Sequence, residues 1–277
     1  MIYVQKNVKR KYIIDKGEVM NSKERQEYWE GYLKYFSNRV AQANDVNDEE
    51  KDKITNDENV YQVFDLLEVR QDEKFLDFGC SFCRLYPHVK EQGVEYYGVD
   101  IAKSALEQAL NLYPELKGNL KVTLEDIIPY EENSFKKLLC FGVFDACIQE
   151  KTIQEILRVL EVGGCALITG KNSRYYEDDV MALIAEEKAR ENKHPNFFTD
   201  LEQLIKQLEE KKIKIREVRY FKRRGDTIRN QYVHETPEYF YEYFMIIEKR
   251  KEAVGGSFEQ FSYEYSETFK KVKFKQG

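Results

Sequence analysis

Short apolar segments alternate with longer amphipathic ones between residues 60 and 250, and this alternation limits the fold more than any other feature of the sequence. The segments typical of strands are residues 74–79, 95–100, 120–126, 136–144, 165–170, 214–221 and 242–249. Those typical of helices are residues 60–69, 102–113, 152–160 and 200–211. A helix between two strands lets the chain cross one face of a sheet, so the pattern predicts an α/β fold with a doubly wound, mostly parallel, seven-stranded sheet. Only a polar loop separates the last two strands, which predicts that the seventh runs antiparallel.

The segments on either side of this domain differ from it in composition. Residues 22–43 carry aromatic side chains at helical spacing, which predicts a helix that packs on the domain. We therefore expect three parts: an N-terminal helical segment at residues 1–59 that caps the ligand site, a main domain at residues 60–250, and a C-terminal tail at residues 251–277. The tail has a Gly-Gly break followed by alternating aromatic residues, which is consistent with an edge hairpin or with self-association into a homo-oligomer.

The charge balance and the cysteine content narrow the class of protein. The 277 residues carry a formal net charge of −6, whereas nucleic-acid-binding proteins usually have a basic balance or a basic face, so we expect no nucleic acid partner. No apolar run is long enough to span a bilayer, and the first residues lack the apolar core of a secretory signal. We therefore expect a cytoplasmic protein with no membrane partner. Five cysteines, an odd number, indicate reduced thiols rather than a disulfide framework.

The loop after the first strand, LDFGCSFCR at residues 76–84, has the small residues of a ligand-binding turn, beginning with Gly79. Three interpretations are open: a cradle for a nucleotide-like ligand, a redox or metal site formed by Cys80 and Cys83, or a tight turn without further function. A metal site needs more ligands, and the remaining cysteines and the three histidines are scattered, so we predict no metal. If Ser81 and Cys83 adopt positive φ, each carries strain on the order of 1–2 kcal/mol.

Acidic residues follow the next two strands. Asp100 ends the second strand roughly 20 residues after the loop, where a carboxylate can accept the hydrogens of both hydroxyl groups of a ribose. Asp126 follows the third strand, with Glu125 as an alternative. A carboxylate there can accept a hydrogen bond from an adenine amine while Ile127 packs on the ring. Because the carboxyl ends of parallel strands lie at one edge of a sheet, these residues predict a single ligand site.

Taken in this order, the motifs resemble those of the class I S-adenosylmethionine-dependent methyltransferases over residues 60–250. The first strand of that family ends in Asp-x-Gly-x-Gly-x-Gly, where this sequence has Asp77, Gly79, Ser81 and Cys83. Residues 155–169, EILRVLEVGGCALIT, resemble the family's run into the fifth strand, with Val162 in place of a proline. The resemblance implies a Rossmann-like methyltransferase fold, S-adenosylmethionine as the cofactor and S-adenosylhomocysteine as the product. The residues expected to contact the cofactor are Tyr28, Asp77, Gly79, Cys80, Asp100, Ile101, Asp126, Ile127 and Phe141.

The loops after strands four to six flank the edge of the sheet where a methyl acceptor would lie. Four arginines in these loops predict a small anionic acceptor, such as a sugar or sugar-phosphate-like compound methylated on oxygen. They are Arg174, Arg223, Arg224 and Arg229. A solvated charge run explains them equally well. His194 and His234 are the candidate catalytic bases, because the pKa of histidine lies near neutral pH. An RNA or protein methyltransferase and a non-catalytic cofactor-binding scaffold are the alternative functions.

Overall fold

The computed structural model describes residues 21–45, 56–124 and 127–274. Most of the predicted N-terminal segment outside its helix, namely residues 1–20 and 46–55, lies outside the described residues, as do Glu125, Asp126 and residues 275–277. Among the helices that are described, none is both long enough and apolar enough to cross a membrane.

Nine strands are described, seven of which form the main sheet. They are β1 (Lys74–Phe78), β2 (Glu95–Asp100), β3 (Leu120–Val122), β4 (Phe135–Cys140), β5 (Leu160–Lys171), β6 (Phe198–Thr199), β7 (Lys214–Phe221), β8 (Glu242–Glu248) and β9 (Ser262–Tyr263). The order across the main sheet is β3-β2-β1-β4-β5-β8-β7, and all neighbouring pairs among β1 to β5 are parallel. Strand β8 is antiparallel to both β5 and β7. The predicted doubly wound, seven-stranded sheet with a reversed last strand is confirmed.

Helices cover both faces of this sheet. They are α1 (Ser22–Asn44), α2 (Asp57–Asp65), α3 (Tyr86–Glu91), α4 (Lys103–Leu112), α5 (Gln149–Val159), α6 (Val180–Glu191), α7 (Leu201–Glu210) and α8 (Glu267–Phe274). On one face α5 and α7 bury Ile156 and Leu204 in one apolar core, and on the other α2, α3 and α4 bury Phe64, Val89 and Leu106 in a second core. Because each face is covered, the free edge at the carboxyl ends of the strands is where a ligand has access.

Strand β3 is shorter than the sequence pattern predicts. The alternation continues to residue 126, but β3 ends at Val122, which is paired with the last residue of β2, Asp100. Strand β3 lies at the edge of the main sheet, where its neighbour among the described strands is β2. Because β2 ends at Asp100, β3 has no strand to pair with beyond Val122. The chain turns instead, and the Thr123 hydroxyl donates to the Ile127 carbonyl oxygen at 2.6 Å.

The C-terminal tail packs on its own chain away from the edges of the main sheet. Its strand β9 pairs antiparallel with β6 to form a separate two-stranded sheet, and α8 follows. Phe261 and Phe269 of the tail are fully or almost fully buried. The tail therefore does not add a hairpin to the edge of the main sheet. Its strand pairs with β6, which lies outside that sheet.

Candidate active site

A cavity of about 360 Å³ lies at the carboxyl ends of β1, β2 and β4, beneath α1. The loops after these strands form one side of it, and one face of α1 forms the other with Trp29, Tyr32 and Phe36. This volume falls in the range of sites for small ligands. Several of the residues predicted for the site line this cavity, namely Asp77, Gly79, Cys80, Asp100, Ile101, Phe141 and His194.

The loop between β1 and α3 turns sharply at the cavity. Gly79 has a φ of +83°, and a Cβ at this position would overlap the Val143 side chain, so glycine is required here. Ser81 and Cys83 also have positive φ, at +47° and +57°. The strain expected for such residues in this conformation is on the order of 1–2 kcal/mol each. The loop thus keeps the left-handed geometry of a glycine-rich turn with other small residues at two of its places.

Asp100 joins the end of β2 to this loop. Its Oδ2 accepts a hydrogen bond from the Ser81 amide at 2.8 Å, and its Oδ1 accepts one from the Ala102 amide, also at 2.8 Å. Burial raises the pKa of Asp100, while these two N–H groups act in the opposite direction. Both carboxylate oxygens are thus oriented by backbone, and each has a further lone pair for a hydroxyl hydrogen.

Asp77, the acid at the end of β1, is buried in the cavity wall. Burial raises the pKa of Asp77 to about 7, even though the Tyr96 hydroxyl donates a hydrogen bond to its Oδ2 at 2.8 Å. The carboxyl group is therefore close to half-protonated at neutral pH. It can donate or accept a hydrogen bond at the cavity, depending on what binds there.

Cys80 and Cys83 are buried and form no disulfide. Burial and a hydrogen bond with Cys83 raise the pKa of the Cys80 thiol well above its usual range, which makes it a poor nucleophile at neutral pH. Cys80 packs against Gly98 of β2, where an added Cβ would lie 2.7 Å from the Cys80 Sγ. In the part of the chain that is described, no three His, Cys, Asp or Glu side chains are grouped so as to hold a metal ion. These contacts favour a packing role for the pair.

Helix α1 is attached to the loop after β2 by polar contacts. The Gln26 Nε2 donates to the Ile101 carbonyl oxygen at 3.2 Å, and the Glu30 carboxylate accepts hydrogen bonds from the amide and the hydroxyl of Ser104. Ser104 lies in the first turn of α4, whose own N-cap, Ala102, has no side-chain hydrogen bond. Glu30 therefore accepts a hydrogen bond from a free N–H group in the first turn of α4, and its negative charge interacts favourably with the dipole of that helix. These contacts fix α1 over the cavity.

His194, in the loop after α6, contacts the aromatic face of α1. Its Nδ1 lies 2.6 Å from the Tyr28 hydroxyl, and its ring centre lies 5.2 Å from that of Trp29 and 5.4 Å from that of Tyr32. Tyr28, predicted as a cofactor contact, thus reaches the cavity wall through His194. Burial and the nearby Lys171 lower the pKa of His194 to about 4. The imidazole is neutral at pH 7, where it can serve as a hydrogen-bond acceptor or a weak base.

Two other predicted residues, His234 and Ile127, do not line the cavity. His234 is exposed and lies 3.9 Å from Glu217 of β7. Because β7 is the outermost strand, on the far side of the sheet from β1 and β2, His234 is not placed to act as a base in this cavity. Ile127 is 54% exposed, and Asp126 lies outside the described residues.

The four predicted acceptor-binding arginines do not line the cavity either, and each has a partner of its own. Arg174 pairs with Glu202 at 2.8 Å, Arg223 with Asp178 at 2.6 Å and Arg229 with Asp226 at 3.9 Å, and Arg224 donates to the Tyr241 hydroxyl at 2.9 Å. Three of the four arginines are therefore paired with carboxylates, two from the same loops and one, Glu202, from α7. The structure does not bring these arginines together around one ligand.

An ion pair that local sequence patterns do not predict lies beside His194. The Lys171 Nζ, at the end of β5, is 2.5 Å from the Asp145 Oδ2, in the loop after β4, and both side chains are more than four-fifths buried. Burial acts to raise the pKa of Asp145, but the neighbouring Lys171 holds this pKa below its usual range. The pair forms because β4 and β5 are neighbours, a fact that is absent from the local sequence around either residue.

The region from β1 to β5 has a counterpart among known families. Residues 76–168 match the family model described as a methyltransferase domain, and this stretch contains the loop with Gly79 and the carboxylate of Asp100. This match supports an S-adenosylmethionine-dependent methyltransferase, in agreement with the resemblance of the sequence motifs. No curated protein matches the sequence of this methyltransferase significantly.

Solved structures share the fold of this methyltransferase. The [4+2]-cyclase SpnF superposes with a TM-score of 0.56 at 14% identity, covering 86% of this chain and 100% of its own. A complex of the Haloferax volcanii Trm112 methyltransferase activator with a methyltransferase matches with a TM-score of 0.56 at 12% identity, covering 84% and 100%. The YcgJ protein from Bacillus subtilis matches with a TM-score of 0.51 at 17% identity, covering 70% and 99%. All three identities are low, so these similarities establish the fold alone.

S-adenosylmethionine is the cofactor of this methyltransferase, and the residues at the cavity fit it. Asp100 would hold the ribose hydroxyls, since both of its oxygens are oriented and lie in the cavity wall. The absence of a side chain at Gly79 lets the backbone approach the ligand closely. Ile101 and Phe141 supply apolar surface beside Asp100 and Gly79.

Proposed function

We propose that this methyltransferase transfers a methyl group to a hydroxyl oxygen of a small molecule bound beneath α1. The observation that carries the proposal is the cover of the cavity: α1 is attached on one side through Glu30 and contacts His194 on the other. A cavity of about 360 Å³ covered by one helix suits small ligands, whereas a nucleic acid needs a long, basic binding surface. The formal net charge of −6 also argues against RNA as the acceptor.

Methyl transfer from a sulfonium to an oxygen requires mainly that the two reactants are aligned and that water is excluded. When bound, S-adenosylmethionine supplies a methyl group carried on a positively charged sulfur. Asp100 orients the ribose, and the rings of Trp29 and Tyr32 cover the cavity. His194 is neutral, so it can accept the hydrogen bond of an acceptor hydroxyl and take up its proton as that hydroxyl becomes acidic.

An anionic acceptor is a second candidate, and its support is the basic excess in the loops after β5 and β7. The partners of Arg223 and Arg224 weaken that support, because those side chains would have to exchange an existing contact for the acceptor. Lys171 is better placed than these arginines. Its positive charge lies close enough to Tyr32 and His194, both in the cavity wall, to act to lower the pKa of each. Its pairing with Asp145 leaves little net charge there.

Formation of S-adenosylhomocysteine from S-adenosylmethionine, measured with fractionated cell extract as the source of acceptor, tests the proposal. We expect turnover with the small-molecule fraction and a lower kcat for His194→Gln. His234→Gln, the matched control on the exposed loop, should behave as wild type. Turnover only with an RNA or protein fraction contradicts the proposed acceptor, and cofactor binding without turnover on any fraction indicates a scaffold.

A further inference from the structure

The loop that carries His194 is held from the side of the sheet. The Lys171 Nζ donates to the Asn196 Oδ1 at 2.8 Å, and the Phe197 amide donates to the Asp145 carbonyl oxygen at 2.6 Å. Lys171 and Asp145 are themselves joined by their ion pair at 2.5 Å. The ends of β4 and β5 thus act together on the few residues that follow His194.

The same loop is held from helix α6 and, through it, from the C-terminal tail. The Arg190 Nη2 donates to the Asn196 carbonyl oxygen at 2.5 Å, and the guanidinium lies 4.6 Å from the centre of the Tyr265 ring. Glu186 of α6 is 1% exposed and accepts hydrogen bonds from the amide and hydroxyl of Ser266 at 3.0 and 2.7 Å. A continuous set of contacts therefore runs from the tail to the cavity wall.

On its other side the His194 ring meets α1. The groups that face or act on the imidazole are Tyr28 and Tyr32 of α1, Lys171 at the end of β5, Asp145 after β4 and Arg190 of α6. Trp29, the single tryptophan of the chain, lies with its ring centre 5.2 Å from that of His194. Any movement of the His194 loop therefore changes the surroundings of the only indole.

We propose that Lys171, Asn196 and Arg190 are positioning residues that fix His194 against α1, and that the C-terminal tail sets this wall of the cavity through Tyr265. The inference deepens the proposed function, on which it rests for the role of His194 in orienting the acceptor. The geometric part requires no acceptor and no cofactor, because it concerns contacts within the chain alone. Asp100 and the loop at Gly79 lie outside this set of contacts, so the cofactor side should be independent of it.

Trp29 fluorescence tests the proposal, because a protonated imidazole in contact with an indole quenches its emission. In the wild type we expect a quenching step on acidification, with a midpoint near pH 4, and no step in His194→Gln. Asn196→Ala should lose most of the step and let acrylamide quench Trp29 at least about twofold more strongly at pH 7, because His194 is released from the indole. Asn196→Asp keeps the oxygen that accepts from Lys171 and should restore both readouts.

Matched control variants distinguish a specific effect on the position of His194 from a general loss of stability in this region. Asn192 is exposed, and its side chain donates to the Lys188 carbonyl oxygen of α6 and to no other group of the described residues, so Asn192→Ala should behave as wild type. Tyr265→Leu should raise acrylamide quenching at pH 7, where unfolding by acid plays no part, whereas Tyr263→Leu on β9 should not. Wild-type quenching in both Asn196→Ala and Tyr265→Leu would overturn the inference. Absence of S-adenosylhomocysteine binding by the wild type would instead count against the proposed function and leave these contacts in place.

Discussion

Asp77 is a residue whose ionisation is strongly altered by folding. Its pKa is raised to about 7, so the folded state holds a proton that the unfolded state releases near pH 4. The resulting penalty is absent below pH 4, grows between pH 4 and 7, and at pH 8 reaches up to about 4 kcal/mol. Asp77→Asn removes the charge and keeps an oxygen for the Tyr96 hydroxyl. We expect it to raise the Tm by several degrees at pH 8 and to leave it unchanged at pH 4. An equal effect at both pH values would mean that Asp77 is not desolvated as described.

The positions of Gly79 and Asp100 at the edge of the sheet could be predicted from the sequence, whereas the surroundings of the arginines and of Lys171 could not. Gly79 and Asp100 each stand at the end of an apolar strand, and the strand pattern alone places both at one edge of the sheet. The pairing of Arg223 with Asp178 could not be predicted, because the two residues are 45 positions apart in the sequence. Lys171 was missed for the same reason, since its contact with Asp145 depends on which strands are neighbours. The positive φ of Ser81 was one of two possibilities that the sequence left open.

At the scale of elements, the attachment of α1 depends on a carboxylate at the start of another helix. Glu30 accepts two kinds of hydrogen bond from Ser104, and Glu30→Ala should cost about 1–2 kcal/mol of helix attachment. We expect faster amide hydrogen exchange along α1 in this variant, measured by mass spectrometry. Glu27→Ala is the control, because Glu27 is exposed and, within the part of the chain that the structure describes, pairs with Lys23 alone, at 3.7 Å. Equal exchange in the two variants would argue that α1 is held by its aromatic contacts alone.

The strands of the sheet could be predicted from their apolar runs, whereas the small elements around the sheet could not. Strand β6 has two residues and pairs with β9, which lies more than sixty residues later in the sequence. Helix α6 was not assigned, because Val180, Met181 and Ile184 are exposed and its apolar residues do not form one buried face. Both elements depend on tertiary contacts to the tail. Such contacts join residues that are far apart in the sequence, so local sequence patterns do not predict them.

For the molecule as a whole, the tail is part of the fold, and self-association through it remains a prediction. Ser266 contacts the buried Glu186 through its amide and hydroxyl, so Ser266→Ala should lower the free energy of unfolding by about 1–3 kcal/mol. Ser257→Ala, at an exposed position of the tail, should have no effect. We expect the sedimentation coefficient of both variants to equal that of wild type. A slower-sedimenting Ser266→Ala would show that the tail supports an oligomer.

Titration calorimetry with S-adenosylhomocysteine tests whether Asp100 and the loop at Gly79 bind the cofactor. The wild type should bind S-adenosylhomocysteine and not NAD. Asp100→Asn should weaken binding by about 1.5–3 kcal/mol for each charge-assisted hydrogen bond lost, which is roughly 10- to 150-fold in Kd. Binding of NAD without S-adenosylhomocysteine, or an Asp100→Asn variant with wild-type affinity, would show that these residues do not form the proposed cofactor site.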